Sequence, residues 1–204
     1  MKRSLILAWF AAVALAAAQE SGPADSLARA LADPGAARHL DMQAQGLTAL
    51  PAGVYSLTEL ESADFSDNKL TQLAPEIAQL AGLRWLLLRR NGLESLPKEI
   101  ASLSNLELLD LNDNHLSSLP LQIGQLKKLR NLSLANNKLT SLPKDIGALN
   151  SLESLYLDGN QLVALPEEIG QLRALKVLKL NGNPLSIKEK GRTRRLLPGC
   201  MIVY

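Results

Sequence analysis

Leucines and isoleucines recur along most of this chain in one order that repeats every 23 residues. Leu106, Leu109, Leu111, Asn114, Leu116, Leu119, Pro120, Ile123 and Leu126 show the unit, whose spacing changes character partway. Leu109 and Leu111, Leu132 and Leu134, and Leu178 and Leu180 lie two apart with polar or variable residues between them. That is the period of a strand with one face buried, so each unit predicts a short strand. Beyond the asparagine, Leu116, Leu119, Ile123 and Leu126 fall three or four apart, closer to helical spacing. The proline after Leu119 has no N–H to donate and suits a first helical turn, so the returning limb is expected to be a short helix or 3₁₀ turn.

Asn68, Asn91, Asn114, Asn137, Asn160 and Asn183 are each 23 residues from the next, with Gln45 in the same phase one unit earlier. A single unit has no opposite layer on which to bury its leucines, so units must stack, and their strands form one parallel sheet. The asparagine falls where the chain turns inward after each strand. Its amide carries both donors and acceptors, and the expected role of the six is a structural ladder that satisfies backbone groups left unpaired by the bend.

The run resembles the leucine-rich repeat family, with the pattern Leu-x-x-Leu-x-Leu-x-x-Asn-x-Leu-x-x-Leu-Pro-x-x-Ile-x-x-Leu from about Ala37 to Asn183. Gln45, Ala37, Ala63 and the shifted Ala74-Pro75 depart from it toward the N-terminal end. The resemblance implies an α/β fold: a curved, right-handed solenoid of seven repeats over 37–185, with a parallel β-sheet on its concave face and short helices or 3₁₀ turns on its convex side. A solenoid exposes apolar cross-sections unless its ends are covered. Asp25-Ser26, Leu27, Ala30 and Leu31 read as a short amphipathic cap helix within 19–36, stopped by Asp33-Pro34-Gly35. Over 186–204, Ser186 caps a helix to about Leu197, Pro198-Gly199 ends it, and Cys200 to Tyr204 alternates like one more strand. This ending resembles the caps of bacterial exported members and lacks the cysteine clusters of animal extracellular ones.

The first residues alter the picture of where the chain works. Lys2 and Arg3 precede an uncharged stretch from Ser4 to Ala18 that ends in Ala16-Ala17-Ala18, the order of a cleavable signal peptide over 1–18. At 15 residues the stretch is shorter than the roughly 20 that span a bilayer as a helix. The mature chain is thus expected to be exported, periplasmic or secreted, with no membrane span. Removing Lys2 and Arg3 from the 22 basic residues leaves 20, equal to the 20 acidic ones. With no global field to gather phosphates, nucleic acid is not an expected partner. Cys200 is the only cysteine, so stability must come from packing rather than disulfides. Aromatic residues make up 3% of the chain, and that packing is therefore aliphatic.

If the leucines of each strand face inward, their neighbours face the concave surface. Those expected positions are Asp64 and Ser66; Trp85, Leu87 and Arg89; Leu108, Asp110 and Asn112; Asn131 and Ser133; Tyr156 and Asp158; and Val177 and Lys179. Trp85, Leu87, Leu108 and the adjacent Arg89 form the apolar-plus-arginine combination enriched in binding hot spots, although single apolar surface residues need no explanation. Tyr156 is a second candidate anchor. Partner-binding residues are accordingly expected among Trp85, Leu87, Arg89, Leu108, Asp110, Asn112, Asn131, Tyr156, Asp158 and Lys179. Seven strands at about 4.8 Å give a face roughly 30 Å across, enough for a protein loop, a helix or a small domain.

Other features read more plainly. Asp67, Arg90 and Asp113 share a phase and read as a surface ion-pair ladder. Asp41 and Asp64 stack as like charges without the dense oxygen donors that calcium needs. Cys200 and His115 lie about 19 Å apart by strand counting, which excludes a dyad, and His39 and His115 are three repeats apart. No catalytic residue, metal ligand or cofactor is expected. Asn131-Leu132-Ser133 matches a glycosylation acceptor, a motif that arises easily by chance, and Lys188, Lys190, Arg192, Arg194 and Arg195 read as a solvated helix face. Three functions compete: a non-catalytic module binding a protein on the concave face, a glycan or cell-envelope binder, and an architectural assembly unit. Some bacterial relatives carry a ubiquitin-ligase domain; with the sequence reading as a cap up to Tyr204, such a domain is not expected here.

Overall fold

The computed structural model describes residues 23–204; the expected signal peptide over 1–18 lies outside the described residues. Eight three-residue strands form one parallel sheet in chain order: β1 His39–Asp41, β2 Ser62–Asp64, β3 Trp85–Leu87, β4 Leu108–Asp110, β5 Asn131–Ser133, β6 Ser154–Tyr156, β7 Val177–Lys179 and β8 Met201–Val203. Register partners are 23 residues apart from β1 through β7, as in Leu86↔Leu109 and Leu109↔Leu132. β8 joins β7 by a step of 24, with Leu178 opposite Ile202.

Alternation within the strands is strict from β2 to β7, where the central residue is buried between two half-exposed neighbours. Those central residues meet the leucines and isoleucines of the returning limbs in one continuous aliphatic core. Burying a leucine side chain contributes roughly 1.5 to 3 kcal/mol, so stacking many of them is what holds coils that cannot fold singly.

Each of the six returning limbs forms a five-residue 3₁₀ turn: Ala52–Ser56, Pro75–Gln79, Lys98–Ser102, Leu121–Gln125, Lys144–Ala148 and Glu167–Gln171. In five of them proline is the residue just before the turn, with φ between −59 and −68°, which its ring enforces. The shifted proline of the second limb, Pro75, opens the turn itself.

The asparagine ladder does the work its donors and acceptors suggested. The Asn114 amide donates to the carbonyls of Leu88, Leu111 and Asn112 at 2.9, 3.1 and 3.2 Å. Its oxygen accepts from Leu93 N–H of the preceding coil at 3.1 Å. Asn68, Asn137 and Asn160 repeat the pattern, with Asn91 and Asn183 less buried. Immediately before each ladder position the backbone turns left-handed: Ala44, Asp67, Arg90, Asp113, Asn136, Gly159 and Gly182 have φ between 52 and 72°. Asparagine, aspartate and glycine tolerate that region, and the last two coils use glycine, which has no Cβ to clash.

The ends are closed by two helices. α1 (Pro23–Ala32) contributes the buried Ala30 and the half-buried Leu27 to the core, and Ser26 Oγ accepts from Asp41 N–H on β1. α2 (Ile187–Leu196) starts at Ser186, whose hydroxyl accepts from Glu189 N–H at 3.2 Å. Glu189 accepts in turn from Leu165 N–H of the last repeat at 3.0 Å, and Arg192 donates to Leu165 carbonyl and to Glu189. The cap is thus stitched to the coil it covers. Lys190 and Arg194 flank the Tyr204 ring at 5.2 and 5.1 Å, and the Tyr204 hydroxyl donates to Lys190 carbonyl. Part of the basic helix face is therefore engaged within the cap rather than solvated.

Two positions differ from the sequence reading. Ser66 is 6% exposed rather than on the open face, because the chain is already turning inward there and Asp64 Oδ1 holds its N–H. Cys200 precedes β8 and is half-buried, packed on the core edge instead of within the strand.

Candidate functional site

The sheet register sorts the exposed strand residues into columns running across the molecule. One column reads His39, Ser62, Trp85, Leu108, Asn131, Ser154, Val177 and Met201. Beside it run Asp41, Asp64, Leu87, Asp110, Ser133, Tyr156, Lys179 and Val203. Trp85 and Leu108 are direct partners, and Leu87 stands two residues along from Trp85 on the same face. All three are half-exposed. The fold therefore gathers them into one apolar patch, bordered in the neighbouring strands by Ser62, Asp64, Asp110, Asn131 and Ser133.

Charged groups around the patch differ in how far they are occupied. Arg84 packs over the Trp85 ring at 5.6 Å and donates to Glu107 at 2.9 and 3.0 Å. Arg89 donates to Asp113 at 3.0 Å, and Arg90 to Asp67 at 3.3 Å. Donation from Gln43, then from Arg90, holds the Asp67 carboxyl below its ordinary range. Burial works against the Asp113 carboxylate, but donation from Asn136 and Arg89 outweighs it and lowers its pKa. The column read as a surface ladder is indeed paired, with Arg89 drawn in alongside Arg90.

Asp64 and Asp110 are different. Each uses one oxygen to accept the N–H two residues on, from Ser66 and Asn112 at 2.8 and 3.0 Å, and neither makes an ion pair among the described residues. Burial is the main influence on both and pushes their pKa up; the Ser66 side chain and backbone N–H partly oppose it at Asp64, and the Asn112 N–H and the Arg89 charge at Asp110.

The remaining expected residues divide by use. Asn112 Oδ1 accepts from Ala135 N–H at 2.7 Å and Asp158 Oδ1 from Asn181 N–H at 3.0 Å, so both join adjacent coils as well as facing outward. Lys179 lies 5.0 Å from the Tyr156 ring, and the two form one unit at the C-terminal half of the sheet. Asn131 is half-exposed beside Leu108. The geometry brings Trp85, Leu87 and Leu108 together and leaves Tyr156 with Lys179 as a separate group three strands away. His39 Nδ1 lies 2.7 Å from Ser62 Oγ, while His115 is exposed elsewhere. No group of three metal-ligating side chains occurs among the described residues.

Sequence reasoning missed one feature that shares this rim. Arg38, Glu61, Arg84, Glu107, Arg130, Glu153 and Lys176 occupy one phase just before the strands, with signs alternating at every step. Arg84 meets Glu61 and Glu107 at 3.9 and 2.9 Å, Arg130 meets Glu153 at 2.9 Å, and Lys176 pairs with Glu153 from the other side. The signal was available as a sign that repeats every second unit, hidden by reading the leucine phase alone.

A leucine rich repeat family model matches residues 81–139, and a leucine-rich repeat region model matches residues 122–189. The chain belongs to the leucine-rich repeat family. A leucine-rich repeat protein from Leptospira interrogans is 43% identical, with a TM-score of 0.76 over 78% of this chain and 40% of that one. An internalin from Listeria monocytogenes is 23% identical, with a TM-score of 0.69 over 82% of this chain and 47% of that one; this is a likeness of fold. The leucine-rich repeat chain thus spans less than half the length of either structure. Comparison with curated proteins gives no significant match. Leucine-rich repeat domains are generally protein-interaction modules and typically not enzymes. No helix among the described residues is long and apolar enough to cross a membrane.

Proposed function

We propose that this leucine-rich repeat chain binds a protein partner on its concave sheet face without catalysing a reaction. Trp85, Leu87 and Leu108 form the anchor. Arg89, Asp110, Asn112, Asn131, Tyr156, Asp158 and Lys179 supply its polar surround. One observation carries the reading: the register makes Trp85 and Leu108 neighbours and sets Leu87 beside them, so three large apolar side chains of the face form one patch. Apolar anchors in a polar rim are where binding energy concentrates. Glycan recognition draws less support, because cationic side chains already lie over both rings a sugar would stack on, Lys179 over Tyr156 and Arg84 over Trp85.

Affinity capture from the native environment with wild type and a Trp85→Ala/Leu87→Ala variant side by side tests this. The variant should lose the captured protein while keeping its melting temperature, since neither side chain is in the core. Equal capture by both would overturn the assignment.

The basic and apolar order of residues 1–18 supports export, with the mature chain beginning at Gln19. N-terminal sequencing of the protein recovered outside the cytoplasm should start there; recovery of intact Met1 only, inside the cell, would remove this part of the reading.

A further inference from the structure

We infer that the partner segment seated on the apolar patch is cationic, presenting lysine or arginine side chains next to an aliphatic or aromatic residue. The inference rests on the concave-face reading above and adds the chemistry of what binds there. It starts from the row Asp64, Leu87, Asp110, whose members are direct register partners on β2, β3 and β4. A side chain lying on Leu87 is therefore flanked by two carboxylates, each one strand spacing away, about 4.8 Å.

No cation among the described residues forms an ion pair with either carboxylate; Arg89, whose charge reaches Asp110, donates to Asp113 instead. The arginines nearest the patch are committed outward: Arg84 to Glu107 and Glu61, Arg89 to Asp113, and Arg90 to Asp67. Lys179, on the same row, stands over Tyr156 three strands beyond Asp110. Asp110 keeps a second oxygen with no hydrogen-bond donor among the described residues, and at Asp64 the one further donor is the Ser66 side chain. They are already partly dehydrated, and covering them with an apolar or acidic surface would strip their remaining water without replacement, an unfavourable exchange. A guanidinium or ammonium group restores the lost hydrogen bonds while its methylene stem lies along Leu87 and Leu108. A partner lacking that charge would meet a penalty at the centre of the contact, so the two carboxylates also select against acidic and neutral segments.

Selection from a random peptide library displayed on phage, with the full chain as bait, tests this against two variants. Wild type should enrich peptides carrying lysine or arginine adjacent to leucine, phenylalanine or tyrosine. Those peptides, made synthetically and titrated by calorimetry, should bind Asp64→Asn/Asp110→Asn roughly tenfold or more weakly, and the loss should shrink at high salt. Peptides that fail to bind Trp85→Ala/Leu87→Ala, yet carry no basic residue and bind the asparagine variant unchanged, would overturn the cationic inference and leave the concave site standing. Peptides that bind all three proteins equally, or no enrichment by wild type over the Trp85 variant, would overturn both.

Discussion

Asn114 shows how much of this fold depends on single amides. Its side chain is 4% exposed and closes four bonds to backbone groups of its own and the preceding coil. Asn114→Ala leaves those groups buried and unpaired, at a cost of about 1 to 3 kcal/mol. In a domain of this size each kcal/mol lowers the melting temperature by about 2 to 4 °C, readable by circular dichroism. Asp110 works in the opposite sense. Its pKa is raised by burial, so the folded state holds the proton more tightly than the unfolded chain and ionised Asp110 weakens the fold. Asp110→Asn keeps an oxygen for Asn112 N–H and removes the charge. It should melt modestly higher than wild type at neutral pH, and the difference should fade as pH falls through the carboxylate range. A residue that weakens the fold where it stands is an economical sign of a role outside folding.

The elements were legible because burial imposes the leucine period and proline marks the turn. Leu109 and Leu111 announce β4, and Leu119-Pro120 places the turn at Leu121–Gln125. What the apolar pattern does not encode is the direction of individual backbone amides. Asp110, Asn112 and Asp158 were readable as outward-facing, yet whether an outward carboxyl or amide is also taken by a turn depends on where the next N–H points. The left-handed column was hidden for a related reason: Ala44 and Arg90 occupy it beside Asp67, Asp113, Asn136 and two glycines, so residue type alone marks it unevenly. Packing between turns is another property that the pattern leaves implicit. A Cβ at Gly147 would meet the Glu168 carbonyl of the next turn closer than real Cβ atoms approach any atom, and backbone has little room to yield. Gly147→Ala should therefore force coils apart at a cost of roughly 1 to 3 kcal/mol in chemical denaturation, while an exposed alanine substitution at Lys144 should be near neutral.

At the scale of the molecule, stacking converts small local regularities into extended surfaces. The same 23-residue register that buries Leu86 against Leu109 sets Trp85 against Leu108, so the core and the candidate site are two faces of one geometric rule. Interior positions permit little variation, whereas each outward position is nearly independent of the others. Recognition chemistry can thus change strand by strand with the scaffold intact. The expected surface was readable from sequence for this reason. The separation of paired arginines from unpaired Asp64 and Asp110 was not, because it depends on side chains reaching across coils.

The rim of alternating signs from Arg38 to Lys176 carries an arithmetic rule for how such a chain can lengthen or shorten. Excising one unit by recombination would set like charges side by side at the junction, whereas excising two adjacent units would rejoin opposite ones. Each exposed pair contributes little, so the bias is mild. Over many duplications and losses it favours changes in even steps, and the rim acts as a parity check on the number of coils.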